Sequence, residues 1–174
     1  VAFEKSYDRF IADVDNLYRV TLTNNLGDNG FVTSATNHPT VGGAMQQDFP
    51  EVESYTRIGN KDLSLGGTVN FSYTNTSGEE IKTDSKDDHI YFADTSIIDL
   101  FSIHLTQGDA ATALDEPTAI IITEAIANRF FGTEDPIGKL LEVNDNFALK
   151  VSGVVEEGPK NTHLPMGMII SYNI

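Results

Sequence analysis

The chain of 174 residues contains no cysteine. It can therefore form no disulfide framework, no thiolate zinc site and no cysteine nucleophile, although this absence leaves the cellular compartment open. It also lacks any run close to the roughly 18 apolar residues that span a bilayer, and it has no basic, apolar signal sequence. Because the first residue is Val1 rather than methionine, we expect the chain to be a piece of a longer protein.

Positive charge is scarce. Eleven lysines and arginines stand against 26 aspartates and glutamates, which gives a formal net charge of −15 at pH 7. A surface of this sign repels the phosphates of nucleic acids and anionic lipid headgroups. We therefore expect neither nucleic-acid binding nor docking on a membrane surface, whereas a cationic peptide or a basic partner surface stays compatible with this charge.

What the sequence does contain is a regular supersecondary unit between Thr118 and Lys139. Its β-rich run, Ala119 to Ile122, predicts a strand buried on both faces. Thr123 can cap a following helix, in which two i,i+4 apolar pairs predict an aromatic face against the sheet. Gly132 is typical of a left-handed helix stop, and Asp135 to Gly138 predict a turn.

The rest of the chain mixes helical and strand patterns. Apolar residues from Tyr7 to Tyr18 follow helical spacing and predict an amphipathic helix; a second helix is predicted from Val41 to Phe49, and Asp94 is expected to cap a third. Strands are predicted around residues 19–23, 52–58, 69–73, 81, 90–92, 103–105, 140–143, 147–155 and 168–170. Strand, helix and strand in that order, with hairpins inserted, predict an α+β fold: a mixed sheet with packed helices.

The length suits one well-buried domain that covers residues 1–174. The β-rich middle, roughly residues 60–93 by pattern, is predicted to form a small inserted lobe. Residues of about 1–59 and 94–174 would together form the core lobe. No internal repeat is visible.

The glycines beside Lys139 invite comparison with a phosphate-binding loop. Five residues separate Gly132 from Gly138, where the loop requires four, and Leu140 occupies the position of the magnesium-binding hydroxyl. A structural turn is therefore the better interpretation.

Two acidic groups could hold a hard cation such as calcium, but neither has the ligand spacing of an EF-hand loop. A solvated hairpin edge is the simpler interpretation. The first group is Asp84, Asp87, Asp88 and His89, and the second is Glu142, Asn144 and Asp145.

The sequence shows no catalytic motif around its histidines: neither HExxH nor a GxSxG elbow is present. A Ser-His-Asp site assembled in space stays open. Four carboxylates could form an acid–base pair, yet each has a local structural role, so we expect no catalytic residue, metal ligand or cofactor-binding residue. The histidines are His38, His89, His104 and His163, and the carboxylates are Glu51, Glu53, Glu124 and Asp135.

Short motifs follow one another in a fixed order along nearly the whole chain. They are Ser6 to Phe10, Leu17 to Val20, Phe49 to Glu53, Tyr91 to Asp94, Gly108-Asp109, Ile121 to Glu124, Phe131-Gly132, Asp135 to Lys139, Val151 to Val154 and Asn161 to His163. In this order they resemble the extracytoplasmic core domain of MacB/FtsX-type ABC transporter permeases. The Ser-Tyr-Asp-Arg-Phe opening and the acidic character are most similar to the Bacteroidetes branch.

This resemblance implies a non-catalytic periplasmic domain of an inner-membrane protein, which stands on two of the four membrane helices of a protomer. A separate cytoplasmic subunit or domain would hydrolyse ATP, and two protomers would work together. The domain would transmit helix movement to a periplasmic partner or cargo in efflux, lipoprotein release or signalling. The residues expected to matter are Tyr7, Arg9 and Phe10 at the stalk, and Phe131, Gly132, Pro136 and Gly138 at the central turn.

Two other function classes stay open. A stand-alone periplasmic module for a cationic peptide or small molecule would be favoured by an acidic groove with exposed aromatic residues. A hydrolase would need a pocket where a histidine meets a serine and a carboxylate. Flanking membrane helices in the reading frame would favour the permease, and a signal peptide with a stop codon would favour the module.

Overall fold

The computed structural model describes residues 7–27, 30–61, 65, 68–84 and 88–173. Its main element is a nine-stranded sheet with both parallel and antiparallel pairs, and a separate two-stranded antiparallel sheet lies nearer the N-terminus. This architecture confirms the predicted α+β class with a mixed sheet. In the described part of the chain, every helix is too short or too polar to cross a bilayer.

The elements alternate along the chain as follows. They are β1 (Leu22–Asn25), β2 (Phe31–Ser34), α1 (Val41–Asp48), β3 (Ile58–Asn60), β4 (Asn70–Thr74), β5 (Glu80–Asp84), β6 (Ile90–Ala93), α2 (Ile97–Leu100), β7 (Leu105–Gly108), β8 (Ala119–Thr123), α3 (Glu124–Phe131), β9 (Leu140–Val143), β10 (Phe147–Val155) and β11 (Met168–Ser171). The order across the main sheet is β3-β6-β11-β8-β10-β9-β4-β5, and β7 pairs with β10.

Strand β8 is buried along its whole length, as its apolar run predicts. It lies between β11, which is antiparallel to it, and β10, which is parallel. Ile120 and Ile122 belong to the core cluster that packs under α3, whereas Ile121 belongs to a second cluster with Ile97 and Leu114. Alternate residues of one strand therefore join two apolar layers, because successive side chains of a strand point to opposite faces.

Helix α3 begins and ends where the sequence predicts. The Thr123 hydroxyl accepts a hydrogen bond from the backbone N–H of Ile126 at 3.4 Å, which satisfies one of the unpaired N–H groups of the first turn. Phe130 and Phe131 are buried against the sheet. Gly132, with φ of +58°, ends the helix in a conformation that residues with a Cβ rarely adopt.

Strand β10 has two halves with different neighbours. Residues 147–150 pair with β9, and residues 153–155 pair with β7. At the second junction Gly108 has φ of +95°, and a Cβ on it would lie 2.3 Å from the carbonyl oxygen of Ser152. Only glycine fits this position, which accounts for the glycine of the Gly108-Asp109 motif.

Several local predictions are wrong. Residues 7–18 form turns and a 3₁₀ turn, Val14–Asn16, rather than an amphipathic helix; Asp8 has φ of +55°, which interrupts a right-handed helix. Any part of that helix before Tyr7 lies outside the described residues. Asp94 does not cap α2, because its carboxylate binds the backbone N–H and the guanidinium of Arg57 at 2.8 and 2.9 Å. The bounds predicted for three strands are also wrong: the ranges 19–23, 52–58 and 103–105 are replaced by Leu22–Asn25 (β1), Ile58–Asn60 (β3) and Leu105–Gly108 (β7).

The β-rich middle of the chain contributes to the main sheet. Strand β4 pairs with β9, and β6 pairs with β11. The separate small sheet is formed by β1 and β2. The division into lobes at residues 60 and 93 stays a prediction.

Replacing Phe130 with alanine should lower the free energy of unfolding by about 3–5 kcal/mol, because its fully buried ring leaves a cavity when it is removed. The matched control is Phe31→Ala: Phe31 is 72% exposed, so its loss should cost no more than about 0.5 kcal/mol. Urea unfolding of both variants measures the difference. Equal losses would contradict the two-layer core described above.

Candidate functional site

The residues expected at the stalk and at the central turn lie on two sides of helix α3. Phe10 lines a groove of about 610 Å³ together with Ala125 and Arg129 of that helix. Gly132 and Pro136 line a smaller cavity of about 380 Å³ on the other side. The structure therefore does not bring the two predicted groups into one site.

The carboxylate of Asp8 fastens the N-terminal segment to the loop before β11. Its Oδ1 accepts hydrogen bonds from Thr162 Oγ1 at 2.8 Å and from the backbone N–H of His163 at 3.1 Å, and its Oδ2 accepts from His163 Nδ1 at 2.6 Å. The backbone N–H of Asp8 donates to the carbonyl of Asn161 at 3.0 Å. We call Asp8, Asn161, Thr162 and His163 the N-terminal clasp.

The clasp contains hydrogen bonds to a charged acceptor, the class that contributes most to stability. Burial raises the pKa of Asp8, but the hydrogen bonds from His163 and Thr162 outweigh this effect and hold the pKa below its ordinary value. Tyr7 adds an aromatic contact, since its ring centroid lies 4.7 Å from that of the His163 imidazole. The clasp thus joins positions 155 residues apart in the sequence.

The residues after Asp8 differ in how firmly they contact the rest of the domain. Ile11 is buried, and the next backbone N–H, of Ala12, donates to the Ser102 hydroxyl at 3.0 Å. Phe10 keeps 43% of its surface exposed. Arg9 forms a surface ion pair with Asp15 at 3.2 Å, a kind of pair that contributes little stability. Tyr7 and Phe10 therefore have tertiary contacts, and Arg9 has a local one.

The clasp has the residue types of a hydrolytic triad but a different geometry. In such a triad the hydroxyl donates its proton to the imidazole, which acts as the base. Here the Thr162 hydroxyl and the His163 ring both bind the same Asp8 carboxylate. This arrangement positions the chain and does not activate the hydroxyl.

A second network surrounds the central turn. The Glu134 carboxylate accepts hydrogen bonds from the Tyr73 hydroxyl at 2.9 Å and from Thr76 Oγ1 at 3.3 Å, and it pairs with the Lys139 ammonium. The Lys139 ammonium is the largest cause that lowers the pKa of Glu134 to about 2; the Tyr73 hydroxyl is the next. The Tyr73 ring meets Phe131 edge to face, with centroids 4.6 Å apart. The turn is thereby tied to β4, and Lys139 is engaged in a structural ion pair.

The turn residues named from the sequence have structural contacts. Pro136 is buried, and the Asp135 carboxylate accepts from the backbone N–H of Ile137 at 3.0 Å. Gly138 has φ of +80°, and its N–H donates to the carbonyl of Val151 on β10 at 2.7 Å. The Pro and Gly of this motif are therefore explained by turn geometry and by docking on β10.

The acidic groups considered as metal sites are dispersed. Asp88 binds Arg129 Nη2 at 2.6 Å, and Asp145 lies 3.9 Å from the Lys82 ammonium. Asp87 lies outside the described residues. Within the ranges that the structure describes, no three His, Asp or Glu side chains are grouped so that they could hold a metal ion.

Sequence reasoning named the neighbours of the clasp but missed its central residue. Asp8 lies in the Ser6 to Phe10 motif, and Thr162 and His163 lie in the Asn161 to His163 motif. The sequence signal that could have indicated the clasp was the presence of both motifs. The first contains an acidic side chain, and the second contains a hydroxyl and an imidazole. What the sequence does not show is that the two motifs are adjacent in space.

The family model of the MacB-like periplasmic core domain matches residues 1–173. No curated protein matches the chain. Among solved structures, a domain of a protein described as a permease from Porphyromonas gingivalis has 23% identity and a TM-score of 0.65, over 87% of this chain and 60% of that one. At this identity the likeness concerns the fold. The match covers 60% of that relative's chain, so this chain spans less than two thirds of its length.

Two further structures overlap more loosely. The extracellular domain of the ABC-type transporter YknZ from Gram-positive bacteria has 22% identity and a TM-score of 0.44, over 62% of this chain and 51% of that one. The periplasmic region of MacB from Actinobacillus actinomycetemcomitans has 14% identity and a TM-score of 0.43, over 95% and 81%.

The clasp should weaken in acid. A carboxyl whose pKa is lowered by folding stabilises the folded state at pH values above its ordinary pKa, which is 3.8 for Asp8. This stabilisation is lost as the pH falls through the lower pKa that Asp8 has in the folded state. Asp8→Asn removes the charge at any pH and should lower the hydrogen-exchange protection of the Asp8-position and His163 amides by about tenfold at about pH 6.

The control is Asp13→Asn, the same change at an exposed residue of the same segment, whose carboxylate accepts a hydrogen bond from the nearby Asn16 side chain. It should leave both amides as protected as in the wild type. As the pH falls below 3.8 and through the lowered pKa of Asp8, the wild type and Asp8→Asn should converge. Equal protection of wild type and Asp8→Asn at neutral pH would show that the clasp does not hold the segment.

The Glu134 carboxyl should titrate at a pKa of about 2 in the wild type, and Lys139→Met should move the pKa towards its ordinary value of 4.5. The reason is that the substitution removes the ammonium that most favours the ionised form. An NMR titration of the side-chain carboxyl carbons measures both values. Lys82→Met, which removes a lysine paired with Glu80, is the control and should leave Glu134 unchanged; a shift of the same size there would contradict the specific pair.

Proposed function

Because the chain belongs to the family of MacB-like periplasmic core domains, we propose that it transmits ATP-driven movement of permease membrane helices to the periplasm. The family assignment makes it an extracytoplasmic domain of a MacB/FtsX-like ABC transporter permease, and we propose that this domain is non-catalytic. The transmission mechanism, the partners and the cargo are the other parts that we propose.

The observation that carries the proposal is the N-terminal clasp. In the family resemblance, the segment around Asp8 follows the first membrane helix. The clasp ties this segment to Thr162 and His163, five residues or so before β11, and β11 lies in the sheet between β6 and β8. A displacement of the segment would therefore reach the buried centre of the sheet through a short, hydrogen-bonded path.

This path runs through the segment for which the sequence predicted an amphipathic helix. Residues 7–18 are turns, so we propose that their attachment, rather than helical rigidity, carries the force. Tyr7 supports the clasp through His163, and Phe10 contacts the groove beside α3. For Arg9 we retain only a local role beside Asp15.

The central turn would supply the rigidity that force transmission requires. Phe131 packs on Tyr73, and Gly138 is bonded to β10. Gly132 and Pro136 allow the chain to leave α3 and enter the turn. We propose that these residues keep the sheet from deforming when the N-terminal segment moves, and that they make no direct contact with cargo.

The partners follow from the same proposal. A cytoplasmic ATPase subunit would drive the membrane helices, a second permease protomer would work beside the first, and a periplasmic protein or peptide would receive the movement. The net charge of −15 favours a basic surface on that partner. Efflux, lipoprotein release and signalling each remain compatible with this domain.

The experiment uses the full-length permease with its ATPase, and the substitution Asp109→Cys to attach a spin label. Asp109 is exposed, and this chain carries no native cysteine. With any cysteine elsewhere in the permease and its ATPase replaced by serine, a dimer gives one distance between protomers. ATP should change this distance in the wild type. Asp8→Asn should reduce the change by at least about half while ATP hydrolysis continues, because the clasp is the proposed link.

Asp13→Asn is again the matched control and should behave as the wild type. If Asp8→Asn and Asp13→Asn respond to ATP alike, the clasp does not transmit movement. If ATP changes no distance in the wild type, the mechanical proposal is wrong as a whole.

A further inference from the structure

The groove beside the clasp is large and mostly apolar. Its volume of about 610 Å³ falls within the range of small-molecule sites, which are lined mainly by apolar groups with a few polar ones. The floor is formed by Ile126 of α3 and Val155 of β10, both almost fully buried. Phe101, Ile103 and Met166 form further apolar lining.

Two walls of the groove are held together by the clasp. Phe10 comes from the N-terminal segment, and Thr162 and Leu164 come from the loop that the clasp binds. The clasp therefore links the two chain segments that form these walls.

The charges of the lining favour a cation. Asp88 neutralises Arg129. Glu156 and Glu157 are exposed, and neither forms an ion pair within the described ranges. Against these two carboxylates the lining offers one further charged cation, Lys160, beside His89 and His104. With both histidines counted as neutral, the groove keeps an excess of one negative charge in a chain whose net charge is −15.

We propose that this groove binds a small lipophilic cation, a ligand with an aromatic or aliphatic body and one delocalised or shielded positive charge. The apolar floor takes the body. Phe10 and Phe101 line the groove and supply the aromatic rings that cation sites use, and Glu156 and Glu157 provide the opposite charge at the edge. The groove and its charges belong to this domain alone, so cation binding here does not depend on the permease proposal.

The test compares two ions of the same shape and opposite charge on the 174-residue chain. Tetraphenylphosphonium should bind with one-to-one stoichiometry in isothermal titration calorimetry, at least about tenfold more tightly than tetraphenylborate. Equal affinity for both ions would overturn the assignment to a cation. If tetraphenylphosphonium does not bind at concentrations up to about 1 mM, the proposal of a ligand site in this groove is wrong.

Two pairs of variants locate the binding. Ala125→Trp fills the groove from an exposed position of α3 and should weaken binding at least about tenfold. Asn128→Trp, on the same helix but beside the smaller cavity, should leave the affinity within about twofold. Retained binding in Ala125→Trp would place the cation elsewhere.

The second pair separates local charge from net charge. Changing Glu156 and Glu157 to glutamine should weaken tetraphenylphosphonium binding about three- to tenfold. Changing Glu51 and Glu53, two exposed glutamates outside the lining, alters the net charge equally and should have little effect. Equal losses in the two double variants would show that the overall field, and not the groove, attracts the ion.

Discussion

The burial of β8 on both faces is the constraint on which the rest of the structure depends. A strand with an apolar side chain at each position must be covered on both sides. In this chain α3 covers one side, and α2 with the segment around Leu114 covers the other. The neighbours β10 and β11 are then required to satisfy the backbone hydrogen bonds of β8. The other described strands of the main sheet extend from this centre, and β1 and β2 form their own small sheet.

The core around β8 also positions the groove and the smaller cavity, which lie on two sides of α3. Helix α3 gives its buried face to the core, one flank to the groove and the other to the smaller cavity. The loop from β10 to β11 passes beside the groove and carries Thr162 and His163 to Asp8. The groove, the clasp and the core therefore share residues, so a change at the clasp acts on the groove directly.

The excess of acidic residues explains how the few cations are used. Within the ranges that the structure describes, the following six ion pairs are seen: Arg9 with Asp15, Arg57 with Asp94, Lys82 with Glu80, Arg129 with Asp88, Lys139 with Glu134, and Lys150 with Glu116. The pair of Arg57 and Asp94 takes the place of the predicted helix cap. A forked, charge-assisted ion pair beside a half-buried arginine stabilises the fold more than a single capping hydrogen bond would stabilise α2. The carboxylates left over keep the surface strongly negative.

The sequence by itself determined the elements whose signals are local. The apolar run of β8, the Thr123 cap, the Gly132 stop and the turn before β9 depend on residues close together in the chain, and each is present. The tertiary structure alone decided the use of Asp8 and Asp94, since the partners of both lie far away in the sequence. Helical spacing between Tyr7 and Tyr18 was overruled for the same reason: hydrogen bonds from Thr162 and His163 favour a left-handed Asp8, and apolar periodicity carries no information about such distant donors.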